Sequence, residues 1–504
     1  MNQPVCLEQP IQRRVPSPSQ RRLAAAAVRI ALAAMSVAWL PVLPAGVAAA
    51  TFTNPIAPAG GGGGAADPSI VYRDGFYYWA SSVNGNSIGI AKAKRLQDIG
   101  QVPRVIVYTA PPNTMYSKEL WAPELAYLNG RWYLYFAADD GNNANHRMYA
   151  LQADTQNPQG TWAFRGKLAP PQDFWAIDGT VLQQDDGRLY FIWSGWRGAN
   201  DGFPQRLYIA PMSDPVTISG DRVEISSPTL PWEMETAAIQ EGPAVVKHNG
   251  RINLVYSASA SWTDSYKLGL LSNTDGQVLN PASWVKKSEP VLVSNPAGHV
   301  YGPGHNCFVK SPNGRQDWIV YHATTDSGTG WGARNIRAER FTWRTNDTPD
   351  FGKPVAVGKA IKEPAGSPPD SSMRFEASKI GGNFMRHANG RVRLDANVSP
   401  AEDAQWRQVP GLNDPHAVSF ESVNAPGHYL RHRNGEVWSD ANDGSGLFKA
   451  DATWRKRPGQ GDGNGVSFEA SNFPGSFLRH RGGLFYSEGL ASQLDRDDAT
   501  FYER

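Results

Sequence analysis

Residues 178–195 read D-G-T-V-L-Q-Q-D-D-G-R-L-Y-F-I-W-S-G: an acidic residue, an apolar run, a tight Asp-Gly turn and a second apolar run. That order predicts a β-hairpin. The phrase recurs along the chain. Asp67 opens D-P-S-I-V-Y-R-D-G-F-Y-Y-W-A-S, and Trp121 opens W-A-P-E-L-A-Y-L-N-G-R-W-Y-L-Y-F-A. Glu241 opens E-G-P-A-V-V-K-H-N-G-R-I-N-L-V-Y-S, and His305 opens H-N-C-F-V-K-S-P-N-G-R-Q-D-W-I-V-Y-H. The turn glycines are Gly75, Gly130, Gly187, Gly250 and Gly314. Each opening residue stands nine positions before its glycine, except Asp67, which stands eight before.

The opening residues are 54 to 64 positions apart. Self-similarity at such a period marks an array of supersecondary units. A third strand-like run follows each hairpin, at Ser87–Lys92, Arg147–Ala153, Arg206–Pro211, Lys267–Ser272 and Asn335–Thr342. A fourth is expected at Val105–Tyr108, Phe164–Leu168, Arg222–Ser226, Pro290–Val293 and Pro354–Val357. Four strands in each of five units predict an all-β, five-bladed β-propeller. Unrelated hairpins in a β-sandwich are the alternative, and tandem periodicity argues against it.

This architecture places function. The first strand of a blade is innermost, so its opening residue lies at one mouth of the central channel. The tight turns lie at the other mouth. The loops after the second strands share the mouth of the opening residues: Val83–Asn86, Asp139–His146, Trp196–Gln205, Ser261–Tyr266 and Thr324–Arg334. Polar loops on a rigid scaffold are where binding and catalysis are usually placed. Asp67, Trp121, Asp178, Glu241 and His305 therefore ring one mouth, with Arg334 at the end of the last loop as a further substrate-binding candidate.

The remaining chain frames this unit. Residues 1–50 carry five arginines, one glutamate and an Ala/Leu/Val-rich run ending in Ala48-Ala49-Ala50, which predicts a secretory signal. Arg21-Arg22 before the run also suits twin-arginine export. Arg29 and prolines break the run, which argues against a membrane anchor. Without these residues the net charge falls from +2 to −2. A near-neutral chain without basic clusters speaks against nucleic acid and anionic membranes. Only Cys307 would remain after cleavage, so no intrachain disulfide is expected. Gly60–Gly64 reads as a flexible lead-in, residues 51–362 as the propeller, and 363–372 as a Pro/Ser linker.

Residues 373–504 hold a second repeat: F-E-A-S-K-I-G-G-N-F-M-R-H from Phe375, F-E-S-V-N-A-P-G-H-Y-L-R-H from Phe420 and F-E-A-S-N-F-P-G-S-F-L-R-H from Phe468. Each ends in a histidine (His387, His432, His480), followed eight residues later by a carboxylate (Asp395, Asp440, Glu488). An acid–Ala–x–aromatic phrase follows, led by Asp403, Asp451 and Asp498. Three β-rich repeats imply a β-trefoil. A histidine and two carboxylates per lobe suggest three polar pockets; capping of turns is the competing role.

Three carboxylates and a histidine around one channel fit glycoside hydrolysis, which typically needs two carboxyl groups flanking the scissile bond. One stays protonated as acid, the other ionised as base or nucleophile, and a third anion raises the acid's pKa. Trp121 suits stacking on a sugar face or lining the wall. Trp175, Trp196, Trp232 and Trp262 lie nearby in sequence, each suiting core packing as well as sugar contact.

Ala66-Asp67-Pro68-Ser69, Trp121-Ala122-Pro123-Glu124, Ile177-Asp178-Gly179 and Glu241-Gly242-Pro243 resemble, in order and spacing, the signature blocks of glycoside hydrolase family 43. The resemblance spans about residues 65–360. It implies a five-bladed propeller that inverts the anomeric centre, with Asp67 as general base, Glu241 as general acid and Asp178 tuning and orienting that acid. It implies no required cofactor; His305 resembles a channel histidine beside an ion or water, so a structural calcium or other ion there is the candidate metal. Glu124 stands where the family can carry Asp. Residues 372–504 resemble carbohydrate-binding module family 42, an arabinofuranose-binding β-trefoil whose pockets use the matching His and Asp positions. Glu488 replaces an Asp of that pattern, and Asp403-Ala404-Gln405 departs from Asp-Ala-Thr.

Together these resemblances imply a secreted, monomeric exo-1,5-α-L-arabinofuranosidase that releases L-arabinose from arabinan, its partner being plant cell-wall polysaccharide (arabinan, arabinoxylan). β-Xylosidase, endo-arabinanase and arabinoxylan-debranching activities stay open, because the mouth loops decide between pocket and groove. A non-catalytic two-domain sugar-binding protein is the reading from another class.

Overall fold

The computed structural model describes residues 50–59, 65–199, 201–368, 372–414, 416–425 and 427–504. The signal expected over residues 1–50, except Ala50, the Gly60–Gly64 lead-in and residues 369–371 of the linker lie outside the described residues. Among the described residues, no helix is long and apolar enough to cross a membrane.

The five hairpins become five antiparallel sheets in chain order. Blade one comprises Ser69–Arg73, Phe76–Val83, Ser87–Ala93 and Val105–Thr109. Blade two comprises Lys118–Leu128, Arg131–Asp139, Arg147–Ala153 and Trp162–Leu168. Blade three comprises Ala176–Gln183, Leu189–Gly195 and Arg206–Asp214, whose outer edge pairs with both Thr217–Ile218 and Val223–Ser226. Blade four comprises Gln240–His248, Arg251–Ala258, Lys267–Asn273 and Val285–Lys286. Blade five comprises Tyr301–Lys310, Asp317–Thr324, Asn335–Trp343 and Pro349–Asp350.

Two outer strands depart from the expected positions. Pro290–Val293 contributes only a single bridge, Leu268 to Leu292, and Pro354–Val357 forms no strand. Their places go to two-residue strands nearer in sequence. An outermost strand pairs on one side only, so proline and short length are tolerated there and the sequence signal is weak. The stretch Val83–Asn86 is not an elaborated loop either. Asn84 (φ 53°) and Gly85 (φ 71°) make a tight hairpin turn, the conformation Asn-Gly pairs adopt readily.

The blades pack through apolar faces. The seam between blades one and five buries Trp79, Trp318, Val320 and Cys307. Segment 51–57 closes the ring over this seam. Thr51 and Phe52 pair antiparallel with Lys362 and Ile361. Asn54 Nδ2 donates to the Ala338 carbonyl (3.1 Å), and the Ala338 N–H donates to Asn54 Oδ1 (3.0 Å).

The C-terminal unit has three lobes around one core. Phe375, Phe420 and Phe468, the residues that open the three repeats, meet edge to face at 5.1, 5.1 and 4.8 Å between ring centres. Trp406, Trp454 and Phe501, which end the three acid–Ala–x–aromatic phrases, are fully buried beside them. The stretch read as a linker is packed where described. Glu363 pairs with the buried Arg95, and the Ala365 N–H donates to Gln316 Oε1 (3.0 Å). Arg407 of the first lobe donates to Gln101 Oε1 (2.6 Å) and Asp98 Oδ1 (3.2 Å) of blade one.

Candidate active site

Local backbone geometry aims the mouth residues inward. Asp67, Asp178 and His305 adopt left-handed φ of 48°, 56° and 45°. In blades two and four the left-handed residue comes one later, at Ala122 (φ 42°) and Gly242 (φ 54°). In blades two to five the strand register shifts there, between Trp121 and Glu124, Ile177 and Thr180, Glu241 and Ala244, and Gly304 and Cys307. These are β-bulges, which re-aim a side chain at a sheet's end. A left-handed non-glycine residue costs roughly 1–3 kcal/mol and persists only where its surroundings enforce it.

Asp67, Asp178, Glu241 and His305 together line a cavity of about 480 Å³. Arg334 Nη1 donates to Asp67 Oδ1 (3.1 Å). His305 Nδ1 lies 3.3 Å from the same oxygen and 3.9 Å from Asp178 Oδ2. His322 Nδ1 lies 3.2 Å from both the Asp67 nitrogen and Oδ1. Asp178 Oδ2 accepts the Gly242 N–H (3.0 Å), and Glu241 Oε1 accepts the Tyr266 hydroxyl (2.8 Å).

These surroundings drive the carboxyl groups apart. Burial pulls Asp67 upward, but Arg334, His305 and His322 outweigh it and hold Asp67 well below the usual carboxylate range. Burial first, and the Asp178 charge second, push Glu241 up to about 8. Asp178 is also raised, by burial and by Asp67. Two buried neighbours of this kind cannot both ionise easily. The Gly242 N–H and Arg334 favour charge on Asp178, so the shared proton belongs on Glu241. One carboxylate is firmly ionised and one carboxyl holds its proton at neutral pH, which is the division general base and general acid require.

The walls are aromatic. Trp175 lines the cavity and stacks at 4.8 Å and 11° on Trp196, which is buried but not among the lining residues. Trp121 lines the cavity and stacks on His146 at 4.0 Å. The rim is exposed: Phe203 is 53%, Trp331 54% and Trp262 39% accessible. Trp262 and Trp331 meet edge to face at 5.5 Å. Asp264 accepts from the Gly328 N–H (3.1 Å) and the Ser327 hydroxyl, tying the loops of blades four and five together. Trp232 is absent from the cavity; it packs on Tyr256 and donates to the Ser288 carbonyl (2.7 Å).

His305 thus turns Nδ1 toward Asp67 and Asp178. Deeper, Glu124 is held by the Thr180 hydroxyl (3.1 Å), and the buried Asn306 amide has a hydrogen bond at neither end.

A family model described as glycosyl hydrolases family 43 matches residues 52–349. The chain belongs to glycosyl hydrolase family 43. A second model, the alpha-L-arabinofuranosidase B domain, matches residues 373–502. An extracellular exo-alpha-(1->5)-L-arabinofuranosidase of Streptomyces avermitilis is 39% identical over 79% of this chain and 81% of its own. Alpha-L-arabinofuranosidase 43 of Humicola insolens is 34% identical over 70% of this chain and 74% of its own. Among solved structures, an alpha-L-arabinofuranosidase from Lactobacillus brevis superposes with a TM-score of 0.57 at 34% identity, covering 61% of this chain and 98% of that one. The five-bladed propeller of this family 43 chain is thus the one its repeats predict.

In the trefoil the sequence candidates separate into two groups. His387 Nε2 meets Asn424 Oδ1 (2.8 Å), and Asn424 Nδ2 donates to Asp403 Oδ1 (2.6 Å). The second lobe repeats this with His432, Asn472 and Asp451 at 2.9 and 2.9 Å. In the third, His480 lies 3.6 Å from Asp498. Lys379 stands at the repeat position of Asn424 and Asn472. The earlier carboxylates do not join the histidines. Asp395 pairs with Arg393 (2.7 Å), Asp440 with Arg433 (3.3 Å) and Glu488 with Arg481 (3.4 Å). The bridging asparagines come from the following repeat, so no signal within one repeat reveals them.

Proposed function

We propose that this family 43 protein is a secreted exo-α-L-arabinofuranosidase that removes L-arabinose from arabinan in a single displacement with inversion. Water between Asp67 and the sugar would lose its proton to Asp67 while Glu241 protonates the departing oxygen. Asp178 would keep Glu241 protonated and hold it in place. The observation that carries this reading is the split in charge state, with Asp67 ionised by three cationic or polar partners and Glu241 protonated in the same small cavity. Arabinose as the sugar is supported by the named relatives and by the arabinofuranosidase B domain. Secretion is supported by relatives named extracellular. The trefoil would hold the enzyme near polymer, raising local substrate concentration without touching the chemistry.

Product analysis tests this directly. Linear arabinan should yield arabinose alone from the first minutes, released as the β anomer by proton NMR. Oligosaccharides early in the reaction would rule out exo action, and the α anomer first would rule out inversion.

The role of Asp178 is visible in pH. The protonated form of Glu241 exists below its raised pKa. Asp178→Asn removes the anion that raises it, so that pKa falls. The alkaline limb of the kcat/KM profile should then move to lower pH. An alkaline limb that stays in place would make Asp178 purely structural.

A further inference from the structure

Beside Trp121, three ligand-type side chains of blade two converge; Glu119 also lines the cavity, and the proposed chemistry uses none of the three. Glu119 lies near the start of the inner strand, Asp139 ends the second strand, and His146 closes the loop into the third. One ligand atom from each lies within 4.8 Å of the other two. Asp139 and His146 are fully buried. Asp139 Oδ1 accepts the Gly141 N–H (2.8 Å), but Oδ2 is sealed from solvent without an aligned hydrogen bond. His146 Nδ1 stands 3.1 Å from that oxygen.

The other ring nitrogen explains the arrangement. His146 Nε2 lies 3.2 Å from the Glu119 carbonyl, to which it can donate. A metal-binding histidine usually donates its far N–H to a carbonyl or carboxylate, which fixes the ring and leaves the near nitrogen's lone pair free. Here that lone pair would face two acceptors, Asp139 Oδ2 (3.1 Å) and the Asn143 carbonyl (3.3 Å), with the Glu119 carboxylate beside it. Lys118 makes no ion pair with either carboxylate among the described residues. Glu119 itself holds a left-handed φ of 48°, so its placement carries a backbone cost. Electron pairs converging on one point repel unless a shared proton or a cation lies between them, and three ligand atoms there give a cation more partners than a single proton can take.

We propose that Glu119, Asp139 and His146 form a binding site for a divalent metal ion. Two carboxylate oxygens and one imidazole nitrogen suit Zn²⁺ or Mn²⁺ better than Ca²⁺, which prefers oxygen alone. Glu119 is exposed, so water completes the coordination on that side. The ion positions rather than catalyses. It would fix His146, on which Trp121 stacks, and so hold one wall of the cavity.

Chelator-treated, tag-free protein should be titrated with Zn²⁺, Mn²⁺, Ca²⁺ and Mg²⁺ by calorimetry, with melting temperature followed in parallel. The expected result is about one equivalent of Zn²⁺ or Mn²⁺ bound and a raised melting temperature. Asp139→Asn should weaken binding at least tenfold. If that buried variant fails to fold, Glu119→Gln decides, because its side chain is exposed; it too should lose at least tenfold. Failure of either ion to bind at millimolar concentration would overturn the site. Equal binding by wild type and Glu119→Gln would also overturn it, by placing the metal elsewhere, such as at His305.

Discussion

Asp67→Asn is expected to abolish turnover of both arabinan and a nitrophenyl arabinofuranoside. Activating water is needed whatever group leaves, so a good leaving group cannot rescue this variant. The substitution keeps the shape of the side chain but removes the charge that Arg334 and His305 surround. An amide oxygen cannot take the proton. Positioned bases typically contribute 10²–10⁴-fold, so kcat/KM should fall by at least about 10² on both substrates. Retention of a tenth of wild-type activity on either would reject Asp67 as the base.

Glu241→Gln is expected to separate the two substrates. Arabinan carries a poor leaving group that needs a proton, and its turnover should fall by roughly 10²-fold or more. Nitrophenolate leaves unaided, so the aryl substrate should suffer far less. The amide keeps an oxygen for the Tyr266 hydroxyl, so the pocket geometry is preserved. Equal losses on both substrates would contradict the assignment. Stability should move oppositely. A carboxyl with a raised folded pKa contributes fully below its ordinary value near 4.5, and that contribution is lost as pH rises through about 8. Glutamine has no charge to form, so the variant's melting temperature should gain on wild type as pH climbs through that window.

The carboxylates were legible because each sits eight or nine residues before a turn glycine, and spacing survives translation into structure. What holds them was not. The left-handed backbone at Asp67, Asp178 and His305 arises from tertiary enforcement against local preference, and the residues there are not glycine. Tyr266 reaches Glu241 from a loop of the same blade and His322 reaches Asp67 from the second strand of the neighbouring one, at separations of 25 and 255 residues that no local pattern encodes. Arg334 was nameable from the loop it ends, but its ion pair with Asp67 spans 267 residues. The outer strands of blades four and five were misplaced because two-residue edge strands carry almost no signature. The trefoil hub, by contrast, was written plainly in its thrice-repeated phenylalanine.

The closure between Thr51–Phe52 and Ile361–Lys362 also sets a schedule. The first strand among the described residues pairs with one made roughly 310 residues later. At about 5–20 residues per second, that partner is roughly 15–60 s away. Until then the apolar faces of Trp79 and Trp318 that meet at the last seam stay apart. The nascent propeller is therefore an open arc with two unsatisfied ends, and its window of aggregation lasts as long as its synthesis.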